Sequence, residues 1–235
     1  MQRSVLSDGT LERMVAILER EMYTEAAAAK LLGVASATLH YWLEGGRKNG
    51  RTYQPVIREK ATGRNAVTWA EFIEADLLRQ YRRDHQIPMV EIRAFIIRLR
   101  NELGIPYPLA HEQPFVSGKK LVIEAQREAG VPSGFALVEE VGGQFILAPA
   151  AEQFFKRVVW SNSIATAWRP TPRSPVLVDP DVRFGRPTVG GISTEILAEL
   201  VVQDEMDIEE VASLYDLTEA QVRSAVEFEE AAKVA

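Results

Sequence analysis

Basic side chains are concentrated in one short stretch of the chain, where six of them stand against a single acid, Glu59, between residues 47 and 64. Lysine and arginine at this density pair with the phosphates of nucleic acid and make binding dependent on salt. The candidate phosphate-contacting residues are Arg47, Lys48, Arg51, Arg58, Lys60 and Arg64. The pattern therefore predicts a nucleic-acid contact in the first third of the chain.

Residues 24–43, directly before this stretch, have the pattern of a helix-turn-helix. Thr24 and Ser36 are placed to cap two successive helices, and Gly33 between them can adopt the positive φ of a tight turn. The apolar side of the second helix is Leu39, Trp42 and Leu43. The side left for a major groove is Ser36, Ala37, Thr38, His40 and Tyr41. An ordinary two-helix hairpin of an all-α domain has the same spacing, and the basic stretch that follows favours DNA binding.

Two short strands are predicted within the basic stretch, over residues 53–58 and 66–69, joined by the turn residues Thr62, Gly63, Arg64 and Asn65. A basic hairpin beside a recognition helix is a wing, whose cations contact phosphates while the helix contacts base edges. Amphipathic helices are predicted over residues 11–22, 69–83 and 89–103, with Thr68 as the cap of the second. The order of elements resembles the MerR-like winged helix group, although no long heptad run follows here.

The charge of the chain is uneven, which qualifies its net value of −6. Residues 1–107 carry 16 Lys and Arg against 13 Asp and Glu, whereas residues 194–235 carry 2 against 12. We therefore expect the two ends to bind different partners. Cysteine is absent and the three histidines are scattered, so neither a zinc site nor a cofactor is expected. No membrane span or signal peptide is recognisable, which predicts a cytoplasmic protein.

The middle of the chain, residues 108–170, alternates short β-like runs with turns and is predicted to be a small α+β unit. Strands are expected over residues 121–123, 136–138, 145–147 and 158–160, with hairpins at 118–120 and 142–144 and a helix over 150–157. Glu139 and Glu140 have no partner that would make them an acid–base pair, so we expect no enzyme activity. The unit could serve dimer formation or join the two ends.

A proline-rich stretch, residues 168–175, marks the boundary to a third unit. Three helices are predicted beyond it, over residues 194–203, 208–214 and 218–230, the second and third capped by Asp207 and Thr218. Their predicted core is Ile196, Leu197, Leu200, Val201, Val211, Ala212, Leu214, Tyr215, Val222, Ala225 and Val226. The predicted fold class is thus mainly α with small β elements. The predicted domains are a winged helix-turn-helix (1–107), the small α+β unit (108–170) and a three-helix domain (171–235).

The third unit carries Asp179-Pro180, then Phe184-Gly185-Arg186-Pro187, then Leu217-Thr218-Glu219-Ala220-Gln221-Val222. In these motifs it resembles a small antitoxin-like domain, with a departure at Gly191-Ile192-Ser193, where that family usually has a Thr-Arg pair. Together with the winged helix, the chain resembles a long VapB-type antitoxin. The resemblance implies a PIN-like ribonuclease toxin as partner, inhibition of that toxin, and repression of the protein's own operon.

The toxin-binding residues implied by the resemblance are Arg183, Phe184 and Arg186. A PIN-like nuclease holds Mg²⁺ with carboxylates, and an inserted arginine could pair with them and displace the metal. The alternative for either arginine is a structural one, in which it holds its own loop through backbone carbonyls.

A different class of function stays open, a ligand-responsive MerR-like transcriptional regulator without a toxin partner. Under both hypotheses we expect a homodimer, or a hetero-oligomer with the toxin, that binds an inverted repeat in operator DNA.

Overall fold

The computed structural model describes residues 16–48, 50–84, 89–131, 136–141 and 144–234. This part of the chain is mainly α-helical, with small antiparallel pairs of strands, which confirms the predicted fold class. Within it, no helix is both long and apolar enough to cross a membrane.

The first third contains two small strand pairs among its helices. In chain order its elements are β1 (Glu21–Thr24), α1 (Glu25–Leu32), α2 (Ser36–Glu44), β2 (Gly46–Lys48), β3 (Arg51–Tyr53), β4 (Ala66–Thr68), α3 (Trp69–Asp84) and α4 (Met89–Leu103). Strand β1 pairs with β4, and β2 pairs with β3. Of the helix predicted over residues 11–22, residues 11–15 lie outside the described ranges, residues 16–18 are helical, and Met22 lies in β1 instead.

The α1–α2 hairpin follows from local signals. Thr24 Oγ1 accepts a hydrogen bond from the Ala27 amide at 3.2 Å, and Gly33 ends α1 with φ +62°. The cap of α2 differs from the prediction, because Ala35 is the N-cap and Ser36 is already the first helical residue. The predicted apolar side of α2, with Leu39 and Trp42, is fully buried.

The predicted wing strands are wrong in their pairing. The hairpin after α2 is β2–β3, which pairs Arg47 with Thr52, while β4 pairs with β1 across the domain. The predicted strand 53–58 does not form beyond Tyr53, because its amides bond elsewhere: those of Val56 and Ile57 donate to the Trp42 carbonyl at 2.8 and 3.0 Å. This segment therefore packs under the end of α2 and joins no strand ladder.

The middle of the chain adds α5 (Lys119–Glu128), β5 (Val138–Val141), β6 (Gln144–Leu147), α6 (Pro149–Arg157), β7 (Val158–Ser161) and β8 (Ile164–Trp168). The predicted strands at 145–147 and 158–160 and the helix at 150–157 are confirmed, and of 136–138 only Val138 is in a strand. The strand and hairpin predicted around residues 118–123 are wrong. This segment is helical, and Val122, Ile123 and Gln126 recur on its buried side at helical spacing.

One hydrophobic core runs through the first third and the middle together. Trp69 and Phe72 of α3 stack at 5.5 Å between ring centroids, and Phe72 meets Trp168 of β8 edge-on at 5.3 Å. The indole of Trp69 donates to the Ala165 carbonyl at 2.8 Å, and that of Trp168 donates to Asp76 at 3.0 Å. The two predicted domains on either side of residue 107 are thus joined by shared packing, while the division into domains stays a prediction.

The last third has a separate apolar core. Its elements are β9 (Thr188–Val189), β10 (Ile192–Ser193), α7 (Thr194–Val202), α8 (Ile208–Leu214) and α9 (Glu219–Val234), so the three predicted helices are confirmed. Asp207 forms a capping box with Glu210, and Thr218 Oγ1 accepts the Gln221 amide at 3.3 Å. Buried in this core are Val176, Val189, Leu197, Val211, Ala212, Val222 and Ala225. Two predicted core members are wrong, since Ile196 and Leu214 are exposed.

Candidate functional site

The outer side of α2 presents most of the predicted recognition residues. Ser36, Ala37 and His40 are exposed, and Thr38 and Tyr41 are half-buried. The His40 Nδ1 atom lies 2.9 Å from a carboxylate oxygen of Glu25, the first residue of α1. On the other side, the Tyr41 ring lies 6.2 Å from that of Tyr53 in β3, measured between centroids. The structure therefore brings α2, the start of α1 and the β2–β3 hairpin together.

The β2–β3 hairpin is held close to the end of α2 by Gly45. This residue has φ +72°, and a Cβ there would lie 2.2 Å from the Tyr53 carbonyl oxygen, so only glycine fits. Arg47 and Arg51 on the hairpin are exposed, as a phosphate contact requires. The side chain of Lys48 lies outside the described part. This hairpin, residues 46–53, is called the wing below.

The prediction that Arg58 contacts phosphate is wrong, because its side chain is only 5% exposed. Its guanidinium bonds both oxygens of Glu71, at 2.7 and 3.0 Å, and also pairs with Glu44. A cation enclosed by two carboxylates cannot reach a DNA phosphate without breaking both pairs. Its basic side chain gives no signal of this, since a buried and an exposed arginine look alike in a sequence.

Glu44, the last residue of α2, is ionised within this network. Burial alone would raise the pKa of Glu44, but hydrogen bonds from Gly63 and Thr62, together with the charge of Arg58, hold it below its ordinary value. The other two predicted basic contacts, Lys60 and Arg64, are exposed on the adjoining segment. We call residues 59–65 the basic loop.

A second exposed feature is the turn over residues 181–187, called the Phe184 loop. Phe184 is 90% exposed, and Arg183, Phe184 and Gly185 have φ of +50°, +55° and +72° in succession. Positive φ at two successive residues with side chains is unfavourable and has to be maintained by surrounding contacts. Neither property was expected from the motif alone.

The contacts that maintain this loop come from the opposite end of the chain. Tyr23 donates to the Gly185 carbonyl at 2.6 Å, and Arg20 pairs with Asp181 at 2.7 Å. Burial raises the pKa of Tyr23, so its hydroxyl stays protonated and able to donate. No local pattern could have found Arg20 or Tyr23, because each lies about 160 residues from its partner.

The two arginines of the Phe184 loop point to solvent. Arg183 is exposed, and Arg186 is 72% exposed with Glu195 at 3.9 Å, a weak surface pair. Within the described residues neither guanidinium donates to a carbonyl of its own loop, so the structural alternative considered for them is not seen in this conformation.

A cavity of about 650 Å³ lies between the Phe184 loop and α1. Its walls combine α1 with the ends of α7 and α9, and its polar side chains include Lys30, Arg186, Glu195 and Glu229. Its size is that of pockets that hold small molecules. Across the described residues, no three His, Asp or Glu side chains come together as ligands for a metal ion.

Two comparisons with known proteins concern the whole chain. Uncharacterized protein Rv2308 of Mycobacterium tuberculosis is 29% identical over 231 residues, covering 92% of each chain. The crystal structure of Rv2018 from the same organism superposes with a TM-score of 0.72 at 23% identity, over 89% of this chain and 99% of that one. No family model matches the sequence. The structural likeness shows that the fold is shared nearly end to end.

Proposed function

We propose that the protein is a DNA-binding antitoxin, which represses its own operon and inhibits a PIN-like ribonuclease. The observation that carries the DNA-binding half is the exposed side of α2, standing beside a wing whose Arg47 and Arg51 are exposed. A recognition helix with a basic hairpin at its edge matches the major groove and the flanking phosphates. In the sequence, the order of these elements resembles the MerR-like winged helix group, which supports this half of the proposal.

The Phe184 loop supports the second half of the proposal. A large aromatic side chain that is 90% exposed, on a backbone with positive φ, is costly unless a partner covers it. Aromatic and arginine side chains together are the residues that contribute most at protein interfaces. Arg183 and Arg186 beside it would pair with the carboxylates of a nuclease metal site. That the partner is a ribonuclease is inferred from the resemblance to antitoxin-like domains alone, and it is not based on a contact in the structure.

The direct experiment is co-expression with the product of the adjacent gene, followed by a ribonuclease assay with and without this protein. We expect inhibition by the wild type, and its loss in Arg183→Ala, Arg186→Ala or the double variant. The matched control is Arg223→Ala, which removes an exposed arginine from α9 of the same unit. Unchanged inhibition by the double variant would remove the arginines from the proposed interface.

A second candidate function is favoured by the cavity between α1 and the last third. A molecule bound there would contact the helix-turn-helix and the Phe184 loop at once, as a ligand-responsive regulator requires. The neighbouring gene separates the two proposals. If the neighbouring gene encodes a short nuclease with an acidic active site, the antitoxin is favoured. If it encodes a metabolic or efflux protein, and a small molecule raises the melting temperature of this protein, the regulator is favoured.

A further inference from the structure

We infer that Arg58 is a positioning residue, which from its buried site holds the basic loop as a second phosphate-contacting element next to α2. The inference rests on the proposed DNA binding. It gives the residue a function opposite to that predicted from its charge, because Arg58 acts on DNA only through the exposed Lys60 and Arg64.

Arg58 is bound to Glu71 at the start of α3. Its guanidinium forms a two-bonded pair with Glu71, at 2.7 and 3.0 Å. Glu71 Oε2 also accepts the Thr68 amide at 2.9 Å, and the Glu71 amide donates to Thr68 Oγ1, which is the capping box at the start of α3. The guanidinium is therefore fixed to the rigid first turn of a buried helix.

Arg58 and Glu44 together hold the basic loop through hydrogen bonds. From that anchor Arg58 donates to Thr62 Oγ1 at 2.8 Å and to the Ala66 carbonyl at 2.6 Å, and it pairs with Glu44. Glu44 in turn accepts the amides of Thr62 and Gly63, at 2.7 and 2.9 Å. The middle of the basic loop is thereby fastened to the last residue of α2 through one arginine and one carboxylate.

These contacts place the basic loop beside the exposed side of α2. Glu44 is one helical turn beyond His40 and Tyr41, so the loop continues the exposed side of α2 at its carboxyl end. At the loop's other end the Asn65 carbonyl accepts the amide of Glu25, the residue that contacts His40. The basic loop therefore borders the recognition surface at α1 and at the end of α2, while the wing borders it at Tyr41.

The basic loop exposes its charged side chains to solvent. Lys60 and Arg64 are exposed, and among the described residues the ion-pair partner of Arg64 is a distant one, Glu21 at 3.5 Å. Arg58 meanwhile balances Glu44, whose carboxylate would otherwise repel a phosphate at the end of the recognition helix. The loop thus exposes two cations and one acid, Glu59, for a net charge of +1. Inside it, one guanidinium pairs with the carboxylates of both Glu44 and Glu71.

A double-mutant cycle tests the inference, with a mixed-sequence DNA duplex of about 30 base pairs as probe and fluorescence anisotropy as readout. The variants are Arg58→Lys, Lys60→Ala with Arg64→Ala, and all three together. Lysine keeps the charge at residue 58 and loses the forked geometry. If circular dichroism shows that Arg58→Lys does not fold, Glu44→Gln, which frees the same loop from the α2 side, replaces it in the cycle.

We expect the Lys60/Arg64 variant to bind about tenfold more weakly and to lower the slope of log K against log salt by about 1.8. Arg58→Lys should weaken binding about fivefold in the wild-type background and less than about twofold in the Lys60/Arg64 background. A merely structural residue would give the same loss in both backgrounds, and that result would overturn the inference. So would an unchanged salt slope in the Lys60/Arg64 variant.

A failure of the proposed DNA binding can be distinguished from a failure of the inference about Arg58. Arg47→Ala with Arg51→Ala serves as the control, because these residues lie on the wing and outside the Arg58 network. If the wild type does not bind the duplex, the proposed DNA binding itself is wrong, and if the wing variant binds as tightly as the wild type, the wing is not part of the contact. If the wing variant binds more weakly while the loop variants are unaffected, only the inference about Arg58 fails.

Discussion

The two parts of the molecule are stabilised by different chemistry. Through the first third and the middle, charged side chains are buried inside the core, and in the described residues all of them precede residue 158: Glu25, Arg58, Glu71, Glu74, Asp76 and Arg157. The core of the last third is made of apolar side chains such as Val189, Leu197 and Val222. A buried charge must be paired or neutralised, whereas an apolar core tolerates any arrangement of surface charge.

This difference has a consequence at the surface. In the first third, Glu44 and Glu71 pair with Arg58 in the interior, so that their carboxylates do not stand among the exposed cations of the wing and the basic loop. In the last third the acids stay on the helix surfaces, and the exposed cations there include Arg183 and Arg186 beside Phe184. The comparison predicts that charge changes on the wing or the basic loop leave the function of the Phe184 loop unaffected, and that changes at Arg183 and Arg186 leave DNA binding unaffected.

The largest effect is expected from reversing the charge of the wing. Arg47→Glu with Arg51→Glu should weaken binding to a mixed-sequence duplex by roughly a hundred- to a thousandfold at low salt, since each change removes a phosphate contact and adds repulsion. Anisotropy titrations at several salt concentrations measure it. Arg183→Glu with Arg186→Glu is the matched reversal in the last third. If it weakened DNA binding as much, the separation of the two surfaces would be lost.

How far the sequence predicts this molecule depends on the range of the interactions. The Thr24 cap, the Gly33 turn and the Asp207 cap are local signals and are found where the pattern places them, whereas the predicted cap Ser36 is the first helical residue of α2. Leu121 is misassigned to a strand, because a run of three apolar residues is compatible with either a strand or a buried helix. What decided the matter was packing against distant parts of the chain.

For the candidate site the same distinction applies. The exposed residues of α2 follow from helical spacing, and the exposed Arg47 and Arg51 follow from a hairpin directly after it. Arg58 could not be separated from them, because its burial depends on Glu44 and Glu71, 14 and 13 residues away in opposite directions along the chain. Contacts over such distances leave no trace in the spacing of one segment.

Glu74 offers the sharpest test of the difference between the cores. Burial raises its pKa to about 8 from an ordinary 4.5, against the smaller opposing effects of Arg100 and of the Leu109 amide. Because the folded state holds the proton more tightly than the unfolded state, the contribution of Glu74 to stability is full below about pH 4.5. It is lost as the pH rises through about 8.

We therefore expect Glu74→Gln, which stays neutral, to stabilise the protein by on the order of a few kcal/mol at pH 8 and by little at pH 4.5. Urea unfolding across this pH range measures the difference. Glu152→Gln, at an exposed position of α6 paired with Lys156, is the control and should change stability by less than about 0.5 kcal/mol. Parallel stability curves for Glu74→Gln and the wild type would contradict the assignment.

A smaller effect is expected where the two parts meet. Gly185 has φ +72°, and a Cβ there would lie 2.6 Å from Tyr23 Oη and from Met22 Cε, whereas Gly63 has φ +69° and no atom within 4 Å. Gly63→Ala should cost about 1 kcal/mol from backbone strain alone. Gly185→Ala should cost about 2 kcal/mol and displace the Phe184 loop, with weaker inhibition of the proposed partner. Equal thermal stability of the two variants would show that Tyr23 does not constrain this loop.

The smallest effect is expected at α2, the proposed recognition helix. His40→Ala should change the preference among DNA sequences by about 1 to 2 kcal/mol while leaving the affinity for a mixed-sequence duplex and the salt slope nearly unchanged. The reason is that His40 lies at the exposed centre of α2 and its contact to Glu25 is local, so its loss leaves the wing and the basic loop in place. Binding-site selection with the wild type and the variant measures the preference. An identical preference, combined with a uniform loss on every sequence, would make His40 a backbone contact and assign base recognition to Ser36, Ala37 or Thr38.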